Sequence, residues 1–87
     1  MSSANRRKEE RYRAEGEVQL CFEDPVRQEV SGALLDYSKS GFRAAHKYCE
    51  LHAGQVVDFH HFVAHGKARV MWNRILEDRV ETGFLVL

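Results

Sequence analysis

Two clusters in the 87-residue chain combine residue types and spacings suited to binding chemistry. The first is Arg6-Arg7-Lys8-Glu9-Glu10-Arg11, in which Arg7 and Arg11 stand at i and i+4. A guanidinium offers a planar fork of donors that bonds phosphate oxygens or the acceptor edge of a base, and its flat face stacks. The second cluster is Asp36-Tyr37-Ser38-Lys39-Ser40-Gly41. Asp36 and Ser38 bracket a tight turn that Gly41 completes, either with a positive φ or by permitting close backbone approach. Taken alone, this segment is what any strand connection is made of.

The elements that must position these residues read as strands. Val18, Leu20 and Phe22 fall on one face of Glu17–Phe22, with Gln19 and Cys21 on the other, the pattern of a half-buried strand. Glu23-Asp24-Pro25 is a turn, because proline cannot donate to a central ladder. A second strand follows over about Arg27–Asp36, with Gly32 expected to mark a bulge that re-phases it. Phe42 and Ala44 resume the alternation after the polar break at Asp36–Gly41. His46–Gly54 is irregular, and Val56–Val63 alternates again with Val57, Phe59 and Val63 together. His65-Gly66-Lys67 reads as a turn. Ala68, Val70 and Trp72 then share a face, which makes Trp72 a core aromatic. Asn73–Arg79 reads as a loop in which Ile75-Leu76 dips toward the core, and Thr82–Leu87 is a last strand.

No segment carries apolar residues at i, i+3, i+4 and i+7 for three turns, so no long helix is expected. The fold expected is all-β: a small antiparallel six-stranded β-barrel over residues 14–87, preceded by a flexible basic N-terminal arm over residues 1–13. Closure would remove the exposed edges that make so small a sheet prone to aggregation.

Composition narrows the function classes. Thirteen basic and thirteen acidic residues give a net charge of +0, which excludes a wholly basic nucleic-acid binder. The charge is unevenly placed: residues 5–13 hold five basic residues against Glu9 and Glu10, so positive potential gathers in the arm. Cys21 and Cys49 are too few for a disulfide framework. The charged start and the lack of any apolar run near the ~20 residues needed to span a bilayer point to a cytoplasmic protein without membrane contact. His60 and His61 are neighbours on an alternating segment and face opposite ways, and Cys49 with His52 has no second matched pair, so no metal is expected. Nucleophile-elbow, phosphate-loop and Cys-x-x-Cys patterns are absent, so no catalysis is expected either.

The two clusters together, in this order and spacing, resemble the PilZ domain family. The matching residues are Arg7-x-x-x-Arg11 and Asp36-x-Ser38-x-x-Gly41, and Ala68-Arg69-Val70-Met71-Trp72 and Thr82-Gly83-Phe84-Leu85 also look like the family. The likeness runs over residues 6–87. It implies a bacterial receptor for the second messenger cyclic di-GMP, with Arg6, Arg7, Arg11, Asp36, Ser38, Gly41 and Trp72 as ligand-binding residues and no cofactor. Arg7 and Arg11 would clamp the ligand, and Asp36 would accept from the N1–H and N2 edge of guanine. Ser38 would bond base or phosphate, and Gly41 would let the backbone approach. Trp72, on this reading, sits at the barrel mouth and stacks on or supports a base. Arg6 implies a stacked pair of cyclic di-GMP molecules. Arg13 and Arg74 are auxiliary phosphate contacts, and the signal passes to a protein effector, with homodimer formation open. Two other classes are in play: a PilZ-like adaptor that binds no nucleotide, and a small barrel for single-stranded nucleic acid.

Overall fold

Strand forms wherever the period-two alternation runs unbroken. The computed structural model describes residues 10–87. It contains β1 (Tyr12–Arg13), β2 (Glu17–Glu23), β3 (Arg27–Tyr37), β4 (Gly41–His46), β5 (Val56–His60), β6 (His65–Ile75) and β7 (Val80–Val86). Among the described residues there is no helix, and so none long and apolar enough to cross a membrane.

Six strands form a ring in the order β3-β2-β5-β6-β7-β4, which closes where β4 pairs back on β3. Every pairing is antiparallel. The expected six-stranded barrel is therefore present, with one strand more. β1 lies outside the ring on β3, with Tyr12 opposite Tyr37 and Arg13 opposite Asp36. Between β1 and β2 the backbone stays on β3, since Ala14 N–H donates to Leu35 O and Leu34 N–H to Gly16 O. Residues 12–13, assigned to the arm from sequence, thus belong to the sheet.

The core is the inward face of the ring: Val18, Leu20 and Phe22 of β2 meet Leu34, Phe42, Val57, Phe59, Val70 and Phe84. Four expectations from the alternation need correction. The β2–β3 ladder runs through Val18 and Gly32 without a break, and the irregularity falls between Leu34 and Asp36 on the β4 side. Gly32 instead makes room for β4, because a Cβ there would stand 2.6 Å from Ala45 O. β5 stops at His60, and the turn lies at residues 61–64, where His61 N–H donates to Ala64 O; His65-Gly66-Lys67 opens β6 rather than forming a turn. Val63 is consequently exposed and His61 buried in its stead. Ile75 ends β6 exposed, not dipping inward.

Two buried histidines brace this frame. His46 Nδ1 accepts from Tyr48 N–H at 3.1 Å, which leaves Nε2–H to donate to Thr82 Oγ1 at 2.8 Å. The Thr82 hydroxyl donates to Asn73 Oδ1, and Asn73 Nδ2 donates to Leu51 O, so one chain of bonds ties β4, β7, β6 and the loop before β5. His61 Nδ1 accepts from the N–H groups of Val63 and Ala64. Burial lowers the affinity of both rings for a proton, with His60 adding repulsion at His61. A group whose folded-state pKa is depressed gives stability that is complete above its unfolded value, about 6.5, and is lost as pH falls through the folded value. The unfolding free energy from denaturant titration is therefore expected to be lower at pH 5.5 than at pH 7.5, before any carboxylate titrates. Equal values at the two pH values would contradict the neutral-ring assignment.

Candidate functional site

β3 and β4 deliver the second sequence cluster to one end of the barrel, and the chain entering β1 brings Arg11 onto it. Asp36 sits near the end of β3, buried, and Ser38 N–H donates to Gly41 O at 2.8 Å to close the turn. Arg11 donates from Nε (3.3 Å) and Nη2 (2.9 Å) to Asp36 Oδ1, and its Nη1 lies 3.4 Å from Ser38 Oγ. Arg11, Asp36 and Ser38 are thus brought together across 25 to 27 residues of chain. Arg6 and Arg7 lie outside the described residues.

The other Asp36 oxygen is also taken. Arg43 donates from Nε (2.9 Å) and Nη2 (2.6 Å) to Oδ2. Burial alone would raise the Asp36 carboxyl, but the hydrogen bonds from Arg43 and then Arg11 outweigh it, and the group is held below the usual carboxylate range. The expectation that Asp36 reads a guanine edge therefore meets a carboxylate whose oxygens are both engaged. In this arrangement Asp36 is the anchor of two guanidiniums. Arg43 escaped the sequence reading because an outward arginine between Phe42 and Ala44 looks like any solvated strand residue. Its signal was the cross-strand register, which places Arg43 opposite Asp36.

Of the two parts expected of Gly41, a positive φ and a close backbone approach, the structure has the second. It is not among the glycines with positive φ. What it supplies is space for β7: a Cβ on Gly41 would collide with the Phe84 carbonyl. Its absent side chain makes room for β7 at the barrel seam.

Trp72 does not join the core. The β6–β7 register shifts between Val70 and Trp72, so Met71 is the extra residue and the indole leaves the Ala68/Val70 face. It is 42% exposed and lies across Gly83, where a Cβ would overlap the ring at Nε1 and Cε2. Arg11, Arg43, Met71, Trp72 and Gly83 surround a cavity of about 160 Å³. Ser38 and Gly41 instead border a more apolar cavity with Tyr12, Tyr37 and His61. Arg13 and Arg74 are apart from the Trp72 cavity and line another with Arg43.

Chemically, the first arrangement offers two oriented, permanently charged planes beside an aromatic plane. That suits a flat base carrying acceptor atoms, or a phosphate next to one. Among the described residues no three His, Cys, Asp or Glu side chains gather as metal ligands. No protein-family model matches the chain, and a search of curated proteins returned no match.

Gly83 sets the indole in place, which is open to test. Gly83→Ala is expected to push the indole off β7 while leaving the barrel folded, because all three nearest atoms to the added methyl belong to Trp72. The tryptophan emission should move to longer wavelength as the ring becomes more exposed. An unchanged spectrum would show that the indole does not rest on Gly83.

Proposed function

We propose that this chain is a cyclic di-GMP receptor module of PilZ type, acting by binding rather than catalysis. The observation that carries the proposal is the meeting of the two sequence clusters: Arg11 is bonded to Asp36 and Ser38, and it shares a cavity with Trp72. In the proposed mode a guanine lies against the Trp72 indole, and the N–H groups of Arg11 and Arg43 not engaged by Asp36 face its O6 and N7 acceptors. Adenine carries an amino donor where guanine has O6, so arginine donors there disfavour the adenine analogue. Arg7 closes over the phosphates, Arg6 serves a second, stacked ligand, and the altered surface is read by a protein effector.

Calorimetric titration tests this, with cyclic di-GMP set against cyclic di-AMP, GMP and a short single-stranded oligonucleotide. Cyclic di-GMP alone is expected to bind tightly, saturating near two ligands per chain when protein concentration is well above Kd. Arg6→Leu is expected to move that ratio toward one, since leucine neither neutralises phosphate nor donates to guanine. Binding of the oligonucleotide in place of cyclic di-GMP would favour a nucleic-acid barrel, and no heat with any ligand would favour the adaptor class.

A further inference from the structure

A second buried carboxylate repeats the pattern of Asp36 on the neighbouring strands. Glu81 of β7 is buried, and it accepts from Arg74 Nη2 at 2.9 Å on Oε1 and from Arg79 Nη2 at 2.6 Å on Oε2. Arg74 is held opposite Glu81 by the β6–β7 register, and Arg79 by a turn in which Leu76 N–H donates to Arg79 O. These bonds keep the Glu81 carboxyl ionised, below its ordinary range. One carboxylate shared by two guanidiniums leaves a net charge of +1, and the Asp36 unit carries the same excess.

The two units face each other. Arg43 of the first and Arg74 and Arg79 of the second line a cavity of about 510 Å³, together with Arg13 of β1. Among the described residues Arg13 has no carboxylate partner. Its place is fixed by the β1–β3 pairing, which sets Arg13 opposite Asp36. The cavity also borders Glu15, yet four guanidiniums outnumber three carboxylates, and two of those carboxylates are buried and already bonded to arginines. The side chain of Arg74 stays 63% exposed, that of Arg79 44% and that of Arg43 38%. Their unused N–H groups are therefore open to a ligand, in a chain with no net charge to spare.

We propose that the cavity of Arg13, Arg43, Arg74 and Arg79 is an anion site for a phosphate or phosphodiester group, distinct from the cavity beside Trp72. Several guanidinium forks converging on one space suit a tetrahedral oxyanion with acceptor oxygens on every side. Holding Arg43, Arg74 and Arg79 on buried carboxylates removes much of the ordering that free arginines would undergo on binding. The site does not depend on the cyclic di-GMP reading. Arg43 borders both cavities, so the two sites share one guanidinium.

Inorganic pyrophosphate, titrated calorimetrically at low ionic strength with no nucleotide present, is the probe. Wild-type protein is expected to bind one pyrophosphate, and Arg13→Gln and Arg74→Gln are each expected to weaken it about tenfold. Arg13→Gln leaves no buried carboxylate without a partner, so it separates ligand loss from misfolding. Lys67→Gln, which removes the same charge at a different cavity, is expected to change affinity by less than about twofold. No pyrophosphate binding by the wild type overturns the site, and so does loss in Arg11→Ala with Arg13→Gln unaffected. Repeating the titration with cyclic di-GMP present assigns the source of the phosphate. Competition supports a site filled by the dinucleotide's own phosphodiester, and independent binding supports a site for a separate phosphate.

Discussion

Gly41→Ala is expected to lower the melting temperature by more than about 10 °C, with cyclic di-GMP binding lost only as the barrel is lost. Gly41 opens β4 opposite Leu85 of β7, and the Phe84 carbonyl occupies the space a methyl would need. That neighbour is backbone, held in a ladder on both sides, so it cannot rotate away as a side chain would. Relief requires β4 and β7 to part at the seam next to the β3–β4 closure. Overpacking a tight position destabilises by roughly 1–3 kcal/mol, and a contact with fixed backbone belongs at the upper end. If Gly41 were a glycine for the sake of ligand approach, the variant would melt like the wild type and merely fail to bind. Thermal melts of the two ligand-free proteins separate these outcomes.

The second large effect concerns Asp36 and Arg11. Arg11→Ala is expected to weaken cyclic di-GMP binding by tenfold to a hundredfold, the equivalent of about 1.5–3 kcal/mol for one charge-assisted contact. Its melting temperature should change little at pH 7, because the Arg11 side chain is half-exposed and Asp36 keeps Arg43. Asp36→Ala is expected to cost at least as much affinity although its oxygens face arginines. Without the carboxylate, two guanidiniums converge with nothing between them and each swings into solvent. The two changes are expected to be strongly non-additive, since they remove parts of one unit. Full additivity in the double variant would mean that Asp36 contacts the ligand on its own account.

Much of this frame was legible in the residues. The alternation in Val18, Leu20 and Phe22 marked the buried face of β2, and the break at Asp36–Gly41 marked the junction of β3 and β4. The spacing of Arg11, Asp36 and Ser38 singled out residues that do meet in space. What alternation cannot report is a change of phase. A bulge at Met71 turns Trp72 outward, and nothing in the composition of Ala68–Trp72 announces it. The turn at residues 61–64 was hidden for a related reason: Phe62 and Val63 are apolar residues in a turn, and they read as strand. Arg43, Arg79 and Glu81 were missed because pairing across strands depends on register, which periodicity does not fix. Gly32 was misread as a bulge for a similar reason. Gly32 and Gly41 stand where another strand's backbone comes close, a property of the closed ring rather than of the local chain.

Trp72 is the only tryptophan in the chain, so its fluorescence reports directly on the cavity it shares with Arg11 and Arg43. Titrating cyclic di-GMP into the wild-type protein while following that emission tests the receptor proposal most directly. Saturable quenching by cyclic di-GMP, absent with cyclic di-AMP and abolished in Arg11→Ala, is the expected result. An emission spectrum that cyclic di-GMP leaves unchanged, or changes equally in Arg11→Ala, would contradict it.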